Sequence, residues 1–124
     1  MEQKHNIAEI SSQLTEPFKV VLLEQVDDYC VFLTRIEGTY LFHQHARDEM
    51  YLVLEGEIAM DYPDGNSVTL KQGDSLVARS GEKHRSRSKE GAVVLIFKHK
   101  SALLGMSRLD RIKEALRSNL PLKR

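Results

Sequence analysis

The feature that most restricts the fold of this chain is the regular interruption of short apolar runs by turn-forming residues. About nine short segments between residues 18 and 97 combine β-branched or aromatic residues with polar ones. Turn signals separate them, at residues 37–38 and 90–91 among others. At residues 63–66, Asp-Gly supplies the positive φ that a tight hairpin needs. This punctuation is typical of an antiparallel sandwich or barrel. The sequence therefore predicts an all-β fold.

A short helix is predicted before the first strand. Asn6 can cap it, and Ile7, Ile10 and Leu14 share one helical face. The helix should end before Pro17, because the residue preceding proline disfavours the helical region.

A second, amphipathic helix is predicted at about residues 107–118. Leu109, Ile112 and Leu116 recur at helical spacing, and charged residues occupy the other positions. We expect this helix to pack on the barrel or on a partner subunit. A two-helix DNA reader would need another helix and a turn after it, which the sequence does not provide.

Length and charge limit the class of protein. The 124 residues suit one domain, expected to span 1–124 with a barrel core at about 18–98. Lys and Arg number 18 and so do Asp and Glu, which argues against a generally basic surface for nucleic acid. No apolar run approaches the ~20 residues that cross a bilayer, and no signal peptide is recognisable. We therefore expect a cytoplasmic protein with no nucleic-acid or membrane partner.

Ligand-type side chains gather between residues 38 and 56. His43 and His45 are two residues apart, so a strand would direct both imidazoles to the same side. A polar break at residues 46–48 precedes Glu49, and a hairpin or corner there would return its carboxylate to the histidines. Imidazole and carboxylate ligands suit a first-row transition metal.

A second stretch, residues 73–84, adds another histidine. Turns are predicted at residues 73–74 and 80–81, on either side of a short strand, and His84 begins the next strand. The two stretches resemble the two signature motifs of the cupin superfamily of small β-barrel proteins. The matching residues are Gly38, His43, His45, Glu49, Gly56, Gly73, Gly81 and His84. The spacer after Gly38 is four residues where the family usually has five, and Arg79 and Ser88 replace the family's Pro and Asn.

The resemblance implies a cupin jelly roll or barrel of six to nine antiparallel strands, usually a homodimer. It implies one divalent transition metal (Fe, Mn, Ni, Zn, Co or Cu), with the identity left open. The implied ligands are His43, His45, Glu49 and His84. Two adjacent positions of an octahedral ion would remain open for water, substrate or dioxygen, which supports Lewis-acid or oxygen chemistry.

The resemblance implies three classes of function, because this fold hosts many chemistries. The small size of the chain and its intact ligand set disfavour a structural or storage role, and two classes stay open. The first is a metal enzyme acting on a small organic molecule, as a dioxygenase, isomerase, decarboxylase or cyclase. The second is a non-catalytic module that binds or senses a small molecule at the same metal site. Tyr51, on the same strand face as Glu49, is the candidate catalytic acid or substrate hydrogen-bond donor, and a packing aromatic is the alternative.

Strand alternation also predicts what surrounds the site. Leu41 and Thr39 should lie beside the histidines, Val53 beyond Tyr51, and Ser86 and Ser88 beyond His84. A basic run around His84, at residues 83, 85, 87 and 89, has two interpretations: a solvated strand face, or an attraction for an anionic substrate.

Overall fold

Seven antiparallel strands form the fold in a computed structural model, which describes the backbone of residues 4–105 and the side chains of residues 4–103. The strands are β1 (Val20–Val26), β2 (Tyr29–Thr39), β3 (Glu49–Glu55), β4 (Glu57–Asp61), β5 (Ser67–Lys71), β6 (Ser75–Ala78) and β7 (Arg85–His99). Helix α1 (Ile7–Ser11) precedes them, and a 3-10 helix (Lys100–Gly105) follows. The predicted all-β antiparallel class is confirmed. The helix predicted at about 107–118 lies outside the described residues.

The sheet is organised around its longest strand, β7. The strand order is β1-β2-β7-β3-β6, and β4 pairs with both β5 and β7. The first part of β7 pairs with β4, as in Ala59 with Arg87, and its later part lies between β2 and β3. One strand therefore connects the two halves of the barrel.

The structure has fewer strands than the nine segments predicted singly, although seven lies within the predicted six to nine. Residues 84–88 and 92–97 were expected to be separate strands, yet both belong to β7. Gly91, with φ of 95°, lies in a bulge where the β2–β7 register shifts between Ile36 and Gly38. The turn predicted at residues 37–38 is likewise inside β2. The His-x-His segment contributes a single bridge, His43 to His84.

The inner face of the sheet carries the larger of two apolar clusters. Its side chains alternate along β2, β3, β4 and β7, because successive residues of a strand point to opposite faces. They include Cys30, Phe32, Ile36, Tyr51, Val53, Ile58, Met60, Val94 and Ile96. Each large side chain that is fully buried contributes about 1.5–3 kcal/mol of transfer free energy.

Helix α1 covers part of the outer face. The side chain of Asn6 accepts a hydrogen bond from the backbone N–H of Glu9 at 3.0 Å, which confirms the predicted cap. Ile10 and Leu14 belong to a second buried cluster with Leu33 and other residues of β1, β2 and β7. Neither helix within residues 4–105 has the length and apolar character required to cross a membrane.

Candidate metal centre

Two loops at one end of the barrel carry the three histidines, and backbone hydrogen bonds join them. His43 and His84 exchange two such bonds, each 3.0 Å long. The N–H of Gly81 donates to the carbonyl of His45 at 2.8 Å, and the hydroxyl of Ser80 donates to the carbonyl of Ala46 at 2.8 Å. The backbone of one loop is thus held against the backbone of the other.

Asp48 fastens the same two loops through its side chain. It accepts a hydrogen bond from the N–H of Ser80 at 2.8 Å and another from the guanidinium of Arg79 at 3.1 Å. These two bonds lower the pKa of Asp48. Arg79 stands at the position where the resembled motif has proline. Here the contact between Arg79 and Asp48 links the two loops, in place of the conformational restriction that a proline ring would provide.

Four side chains from these loops and from the start of β3 meet at one point. One ligand atom from each of His43, His45, Glu49 and His84 lies within 4.8 Å of the other three. Glu49 and His84 are buried, whereas His43 and His45 are half-buried. The structure therefore brings together all four side chains that the sequence singled out.

Backbone carbonyls orient two of the imidazoles. Nδ1 of His43 lies 2.8 Å from the carbonyl oxygen of Leu41, and Nδ1 of His84 lies 2.9 Å from that of Glu82. A carbonyl oxygen only accepts, so Nδ1 carries the proton in both rings. Nε2 of each ring is then the atom presented to the centre, as in metal sites where a second partner sets the tautomer.

Glu49 is ionised although it is buried. Its Oε1 accepts a hydrogen bond from the hydroxyl of Tyr51 at 2.5 Å and lies 3.1 Å from Nε2 of His84. Nε2 of His45 is 3.3 Å from Oε1, and Nζ of Lys98 is 3.6 Å from Oε2. Burial alone would raise the pKa of this carboxyl, but these neighbours outweigh it and hold the pKa well below its usual range.

The histidine pKa values respond to the same surroundings. Burial, reinforced by the charges of His84 and His45, lowers the pKa of His43 and favours its neutral form. Burial would also lower the pKa of His84, but its hydrogen bonds to Glu49 and to the carbonyl of Glu82 outweigh burial and raise it. The carboxylate of Glu49 therefore stabilises the charged form of His84 more than that of His43.

The donor set fits a divalent transition metal. Nε2 of His45 and Oε2 of Glu49 are buried and have no hydrogen-bond partner within the described residues. In the neutral tautomer, Nε2 of His84 and Oε1 of Glu49 are two acceptors facing each other at 3.1 Å. A cation held by Nε2 of these histidines and one oxygen of Glu49 would remove the conflict between the facing acceptors. Imidazole nitrogen and carboxylate oxygen together suit Fe, Mn, Co, Ni, Cu or Zn.

Comparison with known proteins agrees with this geometry. A family model described as a cupin domain matches residues 34–97, which is more than half of the chain. The chain belongs to the cupin domain family. The Bacillus subtilis (strain 168) protein YdbB, described as uncharacterized, is 36% identical to this cupin over 103 residues, covering 82% of this chain and 91% of YdbB.

Solved structures share the fold of this cupin. A cupin-2 domain protein from Shewanella frigidimarina NCIMB 400 has a TM-score of 0.73 and 26% identity, covering 76% of this chain and 92% of that one. Hydroquinone 1,2-dioxygenase PnpCD, solved with Cd²⁺ and 4-hydroxybenzonitrile, has a TM-score of 0.67 and 24% identity, covering 77% of this chain and 72% of that one. The second likeness shows the fold alone.

Tyr51 packs in the core and also contacts two residues of the candidate centre. Its ring belongs to the inner apolar cluster of the cupin barrel, and its side chain is buried. Its hydroxyl donates to Glu49 and lies 3.3 Å from Nε2 of His84. Burial and then the charge of Glu49 raise the pKa of Tyr51 far above its usual value, so the phenol keeps its proton.

The predicted surroundings of the cupin centre need a correction. The side chain of Leu41 is 76% exposed although its carbonyl contacts His43, because the His-x-His segment is no continuous strand and alternation does not apply there. Thr39, at the end of β2, is exposed as well. Ser86 and Ser88 are buried as expected, and the hydroxyl of Ser88 donates to the carbonyl of Glu57 at 2.7 Å.

Two members of the basic run pair with an acid on the neighbouring strand. Nε of Arg85 and Nε of Arg87 lie 3.0 and 2.8 Å from Oδ2 of Asp61. Their hydrogen bonds, that of Arg87 first, hold the pKa of Asp61 at about 2. These contacts join β4 to β7. They favour the interpretation of the run as a strand face over an attraction for an anionic substrate.

Sequence reasoning missed one charged residue at the centre, Lys98. The only available signal was alternation along the last strand, which places Lys98 on the same face as Val94 and Ile96. That signal identifies the inner face but not the partner. The pairing of Lys98 with Glu49 depends on the register between β3 and β7, which cannot be read from a local sequence pattern.

Proposed function

We propose that this cupin binds one divalent transition metal and uses it to act on a small organic molecule. The proposal rests on the observation that four ligand atoms lie within 4.8 Å of one another. The proposed ligands are Nε2 of His43, His45 and His84 and a carboxylate oxygen of Glu49. Three neutral imidazoles and one carboxylate leave a divalent ion with about one net positive charge, and such an ion supplies Lewis-acid or oxygen chemistry.

The side chains around the ligands suggest how a substrate is handled. The side chain of His45 is 36% exposed, whereas those of Glu49 and His84 are nearly closed to solvent, so a small molecule should approach from the side of His45. Tyr51 retains its proton beside Glu49 and can turn its hydroxyl to donate a hydrogen bond to a bound molecule, whereas its raised pKa makes it a poor donor of the proton itself. Tyr51 is therefore the proposed catalytic residue.

The proposed reaction class is that of a dioxygenase, isomerase, decarboxylase or cyclase. Hydroquinone 1,2-dioxygenase PnpCD, solved in complex with Cd²⁺ and 4-hydroxybenzonitrile, shares this fold, which supports a place for dioxygenases in this set. We further propose one domain over residues 1–124, assembled as a cytoplasmic homodimer without nucleic-acid or membrane partners. The balance of 18 basic and 18 acidic residues supports self-association and argues against nucleic acid.

Metal analysis of untagged protein tests the centre. We expect about one ion per chain in the wild type. His45→Ala should remove most of it, because the variant deletes a ligand and leaves the two loops joined. His99→Ala is the matched control, since His99 lies outside the cluster and contacts Ser101 and Tyr29. Full occupancy in His45→Ala would refute the assignment.

A second experiment separates an enzyme from a binding module. Metal-loaded protein is incubated in air with candidate small acids, sugars and phenols, while oxygen uptake and products are recorded. Turnover that disappears in His45→Ala supports the enzyme. Saturable binding without turnover would instead identify the binding or sensing module.

A further inference from the structure

Lys98 places a cation on the inner face of the barrel. In the sheet register it lies opposite Glu49 on β3 and opposite Cys30 on β2. Its Nζ is 3.6 Å from Oε2 of Glu49 and 6.0 Å from the centroid of the Phe32 ring. Lysine is seldom found inside a barrel unless its charge has a partner, so its position beside the centre calls for an explanation.

The pairing of Lys98 with Glu49 is incomplete. The distance of 3.6 Å is longer than a hydrogen bond, and Oε2 of Glu49 accepts none from the described residues. An ammonium group has three donors, and within residues 4–103 Lys98 directs none of them into a hydrogen bond. Its side chain is 22% exposed, so solvent and small solutes can reach it.

The charge balance of the loaded centre leaves room for an anion. With the divalent ion of the proposed function, Lys98 adds one positive charge and Glu49 one negative charge, which leaves about two positive charges together. Once a ligand displaces water from the site, an uncompensated charge there carries a large desolvation penalty. A negatively charged ligand would remove that penalty, and a neutral ligand of the same shape would not.

We propose that Lys98 binds the anionic group of the substrate and that the site selects small carboxylates over their neutral isosteres. This inference rests on the proposed function, because it places the carboxylate beside the loaded centre. Lys98 is the one lysine with a contact to a member of the four-residue cluster within the described residues. It donates to the carboxylate and thereby determines specificity.

Anion binding to Co²⁺-loaded protein tests this assignment. Benzoate and benzamide, which have nearly the same shape and differ in charge, are titrated while the visible spectrum of Co²⁺ is recorded. Wild type should bind benzoate more tightly than benzamide. Lys98→Met should weaken benzoate binding by about tenfold or more, the effect of losing one charge-assisted hydrogen bond, and leave benzamide unchanged.

Two further variants complete the design. Lys98→Arg keeps the charge and should retain most of the preference for benzoate. Lys100→Met removes a nearby lysine that pairs with Asp28 at 3.1 Å on the surface, and it should change neither affinity. Circular dichroism confirms that each variant is folded, and if Lys98→Met does not fold, Lys98→Gln, which removes the charge and keeps a polar end, takes its place.

The cobalt content of every variant distinguishes the possible failures. Equal affinity for the two probes in cobalt-loaded wild type, or unchanged benzoate affinity in Lys98→Met, overturns the assignment of Lys98 and leaves the proposed function standing. Loss of cobalt in Lys98→Met also overturns it, since Lys98 would then only position Glu49. A wild type that takes up no cobalt refutes the proposed function, and this inference with it.

Discussion

At the scale of single residues, Glu49 is where the interactions of the centre converge. One carboxylate oxygen meets the hydroxyl of Tyr51 and the ring of His84, and the other faces Lys98. A buried carboxylate is unfavourable unless hydrogen bonds or charges compensate it. The neighbours of Glu49 therefore stabilise the fold as well as preparing a ligand.

Replacing Tyr51 tests this dual role in metal-free protein. Tyr51→Phe removes the hydrogen bond to a buried, ionised carboxylate and should lower the free energy of unfolding by about 1.5–3 kcal/mol. Urea denaturation at neutral pH in the presence of a chelator measures the change. Tyr62→Phe is the control, because the hydroxyl of Tyr62 makes no hydrogen bond within the described residues. A loss no larger than that of the control would contradict the role of Tyr51.

The residues of the centre differ in how far the sequence could predict them. The spacing of His43, His45 and Glu49 lies within one short stretch, so local patterns and the family motif were enough to single them out. Lys98 meets Glu49 only through strand pairing across the barrel, and pairing of distant segments leaves no local trace. Leu41 was misplaced because alternation was applied to a segment that is not a strand.

At the scale of elements, the turn between β3 and β4 packs against the bulge of β7. Gly56 has φ of 83°, and a Cβ added there would lie 2.6 Å from the carbonyl oxygen of Gly91. The last glycine of the first motif is therefore required both by its backbone conformation and by the close approach of another strand.

Alanine substitutions at two glycines separate these two requirements. Gly56→Ala should lower the free energy of unfolding by at least about 2 kcal/mol, since it adds a backbone collision to the left-handed conformation. Gly65→Ala has a similar φ of 90° but no atom within 4 Å of the new Cβ, and should lose only about 1 kcal/mol. Urea denaturation compares the two, and equal losses would show that the collision is relieved without cost.

Strand boundaries were harder to predict than the all-β class of the fold. Glycine at residue 91 signals a break, but a chain reversal and a bulge within a strand use the same residue type. The bulge forms because β2 and β3 pair with β7 on both sides and keep the strand continuous. The hairpin at residues 63–66 was predicted correctly, because Asp-Gly between two polar-apolar runs has few other interpretations.

At the scale of the whole molecule, the candidate centre depends on segments that are distant in sequence. Its four side chains come from the loop after β2, the start of β3 and the loop before β7. The unfolded chain does not hold these groups together, so an ion that binds them stabilises the entire sheet.

Stability measurements with and without metal test that linkage. At a free-ion concentration about 1,000 times Kd, loaded protein should unfold with roughly 4 kcal/mol more free energy than chelator-treated protein. The difference should vanish in His45→Ala and persist in His99→Ala. Identical unfolding of loaded and stripped wild type would show that the ion does not bind the folded chain selectively.

The fold class is the part that the sequence predicted best. Short strands with frequent turns restrict a chain to few architectures, and the antiparallel arrangement follows from short connections such as the one between β4 and β5. The order of strands in the sheet could not be predicted in the same way. It depends on β7 joining β2, β3 and β4, which is a property of the assembled barrel.

The reciprocal backbone bonds between His43 and His84 bear on ion selection. These bonds fix the distance between the two loops through the backbone, whether or not an ion is bound. We therefore expect an ion to bind between these two loops with little rearrangement of their backbone. A cation whose radius does not match the spacing of His43 and His84 should bind more weakly, because the loops cannot separate without breaking both bonds.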